Sequence, residues 1–188
     1  MVKELLVKGQ NFHSVLFALV EMRGQAFRDA VVANMQGEGG EALRYGTLLP
    51  SNLYPIEWYR ELFRAVVEQT PDTPNFAREV GKVSAGRDVR GVYRIIFRAL
   101  STELLIKQSP RLFRLFYDGG QVDVQDVKSG FARVRYAECY GFDRNLWLDL
   151  LGGSESVLAA SGAKELRIRI EAGGGDGQDH MQATVTWA

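Results

Sequence analysis

The hydrophobic periodicity of this chain changes at Asp118, and this change constrains the fold more than any other feature. Before Asp118, apolar residues recur at the spacing of an amphipathic helix. The stretch that follows Tyr54-Pro55 shows this with Ile56, Tyr59, Phe63 and Val66. After Asp118, apolar and polar residues alternate with the period of a strand that is buried on one face. The sequence therefore predicts a helical part followed by a part rich in strands.

The strand-rich part begins with a predicted hairpin. Residues 121–127 (QVDVQDV) and 131–137 (FARVRYA) alternate, and Lys128-Ser129-Gly130 between them is typical of a hairpin turn. A helix that Asp143 can cap follows. Gly152-Gly153 is predicted to break this helix before a second helical piece at 154–161.

A second predicted hairpin ends the chain. Residues 165–171 (ELRIRIE) and 180–187 (HMQATVTW) alternate on either side of a glycine run, Gly173 to Gly177. Glycine supplies the positive φ that a tight connection needs. The run lacks the Lys-Ser/Thr of a phosphate-binding loop and opens no helix, so we interpret it as a turn.

These patterns predict an α+β protein. Its helical amino-terminal two-thirds would pack on a small antiparallel sheet built from two β-hairpins that a helix separates. We expect one domain over 1–188, with a helical part at 1–117 and the hairpin–helix–hairpin part at 118–188. The segment Gln36 to Gly40 (QGEGG) is predicted to be a loop between helices.

The overall charge and the cysteine content restrict the functional classes. Lysine and arginine number 23, and so do aspartate and glutamate. A net charge of zero disfavours a general nucleic-acid binder and permits self-association, so we expect a homodimer. Cys139 is the single cysteine, as is usual for a reducing compartment, and the chain shows neither a signal peptide nor an apolar stretch of membrane-spanning length. These features predict a cytoplasmic protein.

The sequence predicts neither catalysis nor a metal site. His13 and His180 are the two histidines, and nothing in the sequence brings them together. No Gly-x-Ser-x-Gly elbow is present, and no carboxylates pair in an apolar context. Because a reaction needs a positioned acid, base, nucleophile or metal, we expect that the protein is not an enzyme.

A basic stripe is the main candidate for a partner-binding or anion-binding surface. Residues 78–114 contain nine basic and three acidic residues, so this segment carries +6 and the rest of the chain −6. Within the segment, four arginines are spaced so that they share one helix face: Arg87, Arg90, Arg94 and Arg98. Guanidinium groups in this arrangement suit an acidic protein surface, phosphates or anionic lipid headgroups. The alternative is a solvated face that pairs with the protein's own acids.

Aromatic residues are dense near Pro55 and near the change of period. Those that could line an apolar pocket between helices and sheet are Tyr54, Trp58, Tyr59, Phe113, Phe116 and Trp147. The alternative is ordinary core packing.

Four ordered phrases resemble an uncharacterised bacterial family that is associated mainly with myxobacterial proteins: LYPIEWYRELFRAV, REVGKVSAGRDVRGVYRIIFRALS, LFRLFYDGG and GAKELRIRIEAGGGDGQDHMQATVTW. The family is in turn similar to the superfold of haem nitric-oxide sensors, vinyl-reductase-type hydrocarbon-binding domains and TRAPP subunits. This resemblance implies a helical layer on a small antiparallel sheet. It also implies an apolar ligand cavity or a dimer surface, without catalysis in most branches.

The chain departs from two of these branches at their functional residues. None of its seven tyrosines begins the Tyr-x-Ser-x-Arg signature of the haem sensors, and no cysteine follows Cys139. From these departures we expect no cofactor, and in particular no haem.

Two functions follow as hypotheses. The first is a non-catalytic signalling or regulatory module that binds a protein partner, as a dimer. The alternative is a sensor domain that binds a small hydrophobic ligand between the helices and the sheet.

Overall fold

A computed structural model describes residues 5–90 and 100–188, with side chains described outside 88–90. In chain order the elements are β1 (Leu6–Lys8), α1 (Gly9–Arg23), α2 (Gln25–Asn34), α3 (Gly37–Arg44), β2 (Leu53–Pro55), α4 (Ile56–Glu68), α5 (Phe76–Arg90), α6 (Thr102–Lys107), α7 (Ser109–Phe116), β3 (Tyr117–Asp118), β4 (Gln121–Lys128), β5 (Phe131–Ala137), α8 (Arg144–Ala160), β6 (Arg167–Gly173) and β7 (Met181–Thr186). Helices precede the main sheet, so the predicted α+β class is confirmed.

The main sheet consists of the two predicted hairpins joined edge to edge. Its strand order is β4-β5-β7-β6, and every neighbouring pair is antiparallel. Val134 pairs with Ala183, and Ile168 pairs with Val185, so apolar side chains from three strands share one face. These residues are buried, because the helices cover that face and remove its apolar surface from water.

A second, smaller sheet joins distant parts of the helical region. β1 lies between β2 and β3, and Val7 pairs with both Tyr54 and Tyr117. Strands of two or three residues are too short to show a period of two, so this sheet is not predicted from the sequence. The sheet fixes Tyr117 at the end of α7, beside the core.

Local sequence signals define the start or end of several helices. The Asp143 carboxylate accepts a hydrogen bond from the Leu146 amide at 2.9 Å, as predicted for the cap of α8. The Ser101 hydroxyl oxygen accepts the corresponding bond from Leu104 in α6. Gly24 separates α1 from α2, because its φ of 87° is not helical. Glycine adopts this conformation readily, whereas it is costly for other residues.

Two glycine segments are helical, contrary to prediction. In the predicted loop Gln36 to Gly40, the last four residues form the first part of α3, and α8 continues through Gly152-Gly153 without the predicted break. These glycines allow close packing. A β-carbon on Gly39 would lie 2.7 Å from the Trp58 ring. Tertiary contact therefore overrides the low helix propensity of glycine.

Close packing is tightest where α5 crosses α8. A β-carbon on Gly152 would lie 1.9 Å from the Arg78 carbonyl oxygen, and one on Gly81 would lie 2.2 Å from the Asp149 carbonyl oxygen. The two backbones therefore touch, which no residue with a side chain would permit at either position. This crossing holds the middle of α8, including Asp149, against α5.

Among the helices in the described ranges, none combines the length and the apolar character needed to cross a lipid bilayer.

Candidate ligand-binding site

A cavity of about 180 Å³ lies between the helices and the covered face of the main sheet. Its wall takes residues from α1, α4 to α8, β3 and β5 to β7. Most of the wall is apolar, with Leu105, Leu151 and Val185 as examples from three different elements. An apolar cavity with a few polar groups is the usual form of a small-molecule site.

The six aromatic residues proposed as pocket-lining separate into two groups. Tyr59, Phe113 and Phe116 line the cavity. Tyr54 and Trp58 instead stack on each other with ring centroids 5.4 Å apart, and Trp147 is fully buried in the core. The Trp147 indole donates a hydrogen bond to the Gln178 carbonyl oxygen at 3.3 Å, which satisfies its polar group without a ligand.

Three tyrosine hydroxyls are among the polar groups of the cavity wall, and each has a side-chain partner from another element. Tyr59 on α4 donates to the Asp149 carboxylate on α8 at 3.0 Å. Tyr117 is hydrogen-bonded to the side chain of Asn11, and Tyr136 to that of Ser154. All six residues line the cavity. Such pairing is expected, because an unpaired polar group in an apolar wall is costly.

Asp149 is the functional candidate that sequence reasoning missed. It is 7% exposed, and burial raises its pKa to about 7, although the hydrogen bond from Tyr59 opposes that rise. Burial also raises the pKa of Tyr136 to about 12 and that of Tyr117 well above its ordinary value. Near neutral pH Tyr117 and Tyr136 are therefore uncharged, and the Asp149 carboxyl is partly protonated. The signal available in the sequence is one acid within the apolar run LWLDLL.

The structure describes only part of the arginine stripe. Arg87 is exposed, and its guanidinium lies 3.8 Å from the centroid of the Phe17 ring. The side chain of Arg90 lies outside the described residues, and so do Arg94 and Arg98.

Neither histidine lines the cavity. His13 Nε2 lies 2.8 Å from the Leu48 carbonyl oxygen, and His180 is exposed beside Asp179 in the last hairpin. Cys139 is buried outside the cavity wall, and burial raises the pKa of its thiol to about 12. Over the described ranges, no three residues of the types His, Cys, Asp and Glu cluster in a way that could hold a metal ion.

The fold is similar to that of solved H-NOX proteins. The Fe(II) unliganded H-NOX protein from K. algicida superposes with a TM-score of 0.72 and 10% identity over 96% of each chain. An oxygen-binding H-NOX domain related to soluble guanylate cyclases, in its oxygen complex, has a TM-score of 0.67 and 15% identity over 96% of this chain and 94% of that one. A structure concerned with haem redox potential and porphyrin distortion gives the same values. No protein-family model matches the chain, and no curated protein sequence matches it.

These similarities establish the H-NOX fold and correct one expectation. The resemblance to the superfold of haem nitric-oxide sensors is confirmed at the level of the fold. The expectation of no cofactor, and of no haem in particular, is contradicted, because solved proteins with this fold contain Fe(II) or haem. That expectation rested on one local motif, the missing Tyr-x-Ser-x-Arg signature, and took no account of the fold.

Proposed function

We propose that this chain is a non-catalytic sensor domain that binds a ligand in the cavity between its helices and its main sheet. The observation that carries the proposal is the cavity itself, an apolar space with three tyrosine-centred hydrogen-bonded pairs inside an H-NOX-like fold. Of the two functions inferred from the sequence, this is the alternative, and the fold similarity supports it better than it supports a protein-interaction module.

Haem is the first ligand to test, because similar solved structures are those of iron and haem proteins. The cavity wall suits the faces of a porphyrin through apolar side chains such as Phe113 and Leu151. The described wall contains no imidazole, thiol or thioether, which are the commonest ligands of haem iron. Tyrosine and serine hydroxyls, the Asn11 amide and the Asp149 carboxyl are the polar side-chain groups that this part of the wall offers. When bound, haem would supply an iron centre that accepts a gas, as in the oxygen complex of the similar structure.

The test is to identify a ligand that the purified chain retains. The full chain should be produced in cells supplied with a haem precursor and examined by native mass spectrometry and by visible absorption. We expect a retained mass, and an absorption band near that of haem if the ligand is haem. A chain that retains nothing, and that neither haemin nor apolar compounds stabilise against heat, would contradict the proposal.

A matched pair of valine substitutions connects the ligand to the cavity. Val157 lines the cavity, whereas Val67 is half-buried outside its wall. Val157→Trp should fill the space and abolish ligand retention, and Val67→Trp should leave it intact. Equal retention by both folded variants would place the ligand elsewhere.

We also propose that the arginine stripe mediates self-association, because Arg87 is an exposed cation stacked on the partly exposed Phe17. The basic segment of one copy would face the acidic remainder of another. Arg87→Glu with Arg90→Glu should shift the sedimentation coefficient toward that of the monomer. Arg167→Glu with Arg169→Glu, which makes the same change of charge at exposed positions of β6 outside the basic segment, is the control. Sedimentation that the stripe substitutions leave unchanged would refute this role.

A further inference from the structure

Asp149 is the one acid among the described residues of the cavity wall. The other polar groups there are hydroxyls and an amide, and the described wall includes no lysine, arginine or histidine. The carboxyl is 7% exposed and accepts its hydrogen bond from the neutral Tyr59 hydroxyl. Over the described ranges, therefore, the wall supplies no cation to balance this carboxylate.

On the elements packed against Asp149, the charged side chains that the structure describes are not part of the cavity wall. On α5, which contacts the Asp149 backbone at Gly81, Arg78 forms an ion pair with Glu155 and Lys82 is exposed. The titratable groups that share the cavity are Tyr59 from α4, Tyr117 from β3 and Tyr136 from β5. None of these phenols carries a positive charge in either protonation state.

An ionised carboxylate in this position is costly unless a positive charge approaches it. Aromatic rings in the same wall would also favour a positively charged ligand, since the face of an aromatic ring attracts cations. Five rings line the cavity: Tyr59, Phe113, Phe116, Tyr117 and Tyr136. A carboxylate surrounded by aromatic rings and aliphatic side chains is suited to a cation with an apolar body.

We propose that Asp149 is the counter-ion for a positively charged group on the apolar ligand of this cavity. This inference rests on the proposed function, because it assumes that the cavity binds a ligand. Two sources share this chemistry, namely an organic ammonium and the positive centre of a ferric porphyrin. Tyr59 is a positioning residue, since its hydroxyl holds one carboxyl oxygen of Asp149.

Two probes of equal shape test the proposal on the full chain. Benzyltrimethylammonium carries a positive charge, and neopentylbenzene is its neutral isostere. Calorimetric titration at pH 8 should show that the wild type binds the cation at least about tenfold more tightly than the isostere, as expected for a charge pair out of water. Asp149→Asn should lose this preference and keep its affinity for the isostere. Haemin is the third ligand tested. If Asp149→Asn lowers the affinity for haemin, and the wild type binds the ammonium no more tightly than the isostere, the positive charge belongs to the porphyrin.

The wild type provides a second measurement if Asp149→Asn does not fold. In the folded protein without ligand, the pKa of the Asp149 carboxyl is about 7. The ionised fraction of this carboxyl therefore rises about tenfold between pH 6 and pH 8. Affinity for the cation, or for haemin if that is the source, should rise by a similar factor, whereas affinity for the isostere should stay constant. Tyr59→Phe, which keeps the ring, should retain isostere binding and the preference for the cation in a weaker form.

The outcomes separate this inference from the proposed function. If the isostere or haemin binds but neither cation preference nor pH dependence is seen, the role of Asp149 is refuted while the ligand cavity stands. If the ammonium, the isostere and haemin all fail to bind, both the cavity function and the role of Asp149 are overturned.

Discussion

Replacing Asp149 with asparagine should remove a large part of the pH dependence of stability. The carboxyl is buried in the wild type and accepts a hydrogen bond from Tyr59. In the unfolded chain the same carboxyl is in water and loses its proton at low pH. Ionisation therefore stabilises the unfolded state at a pH where the folded state still holds the proton.

The size of the effect follows from the two pKa values. Burial raises the pKa of Asp149 from 3.8 to about 7 in the folded protein. Each pH unit between these values corresponds to about 1.4 kcal/mol. The contribution of Asp149 is fully present below about pH 4 and is lost as the pH rises to about 7, so the free energy of unfolding should fall by about 4 kcal/mol over this range. Above pH 7 the loss is complete and constant.

Urea unfolding, followed by tryptophan fluorescence to which the buried Trp147 contributes, measures this dependence. Wild type and Asp149→Asn should be compared from pH 4.5 to pH 8.5. The variant has no carboxyl to ionise at this position, so its stability should exceed that of the wild type by a margin that grows toward pH 7. Asp143, whose pKa burial also raises, is common to both proteins and cancels in the difference. Two parallel curves would refute the reasoning, because they would mean that Asp149 titrates alike in the folded and unfolded states.

Three further outcomes test the fold and the buried thiol. Gly152→Ala should lower the free energy of unfolding, measured in urea, by about 2 kcal/mol, because the added methyl group meets the Arg78 carbonyl oxygen. In the control Gly153→Ala, the nearest neighbour of the added methyl group lies at 3.6 Å, so this change should be neutral or stabilising. Equal effects of the two substitutions would contradict the tight crossing. Asp143→Ala removes the cap of α8 and should cost about 1 kcal/mol in thermal unfolding, and an unchanged Tm would speak against the cap. Cys139 should resist a thiol reagent at pH 8 until urea unfolds the chain, because burial raises its pKa to about 12; immediate reaction would show that it is accessible.

The main sheet was predictable because its four strands are long and half-buried. In β5, Ala132, Val134 and Tyr136 face the core while Arg133 and Arg135 face outward. This alternation can be recognised from the sequence alone. The turn at Gly173 to Gly177 was also predictable, since two alternating segments flank this run and only a short turn can join them. By contrast, β2 and β3 have three and two residues, and their pairing with β1 depends on contacts between distant parts of the chain.

The misread glycines show a different limit. A glycine pair inside a helical pattern weakens the helix, so a break at Gly152-Gly153 was the local expectation. The neighbour that explains Gly152 is the carbonyl oxygen of Arg78, more than seventy positions earlier in the chain. Periodicity describes which residues share a face, but it carries no information about how closely another backbone approaches that face.

The same limit explains why the candidate site was found only in part. Tyr59, Phe113 and Phe116 were identified from aromatic density, which is a property of composition along the chain. Asp149 escaped notice because its partner Tyr59 lies 90 positions away, and the pair forms only when α4 and α8 pack together. An acid within an apolar helix is ordinary when it faces water and costly when it faces a cavity. The sequence LWLDLL is compatible with either environment, and the crossing at Gly81 selects the second by holding α8 so that this carboxyl lies in the wall. The placement of one charged group, which we infer decides the kind of ligand, therefore depends on the close approach of a glycine to the backbone of that same residue.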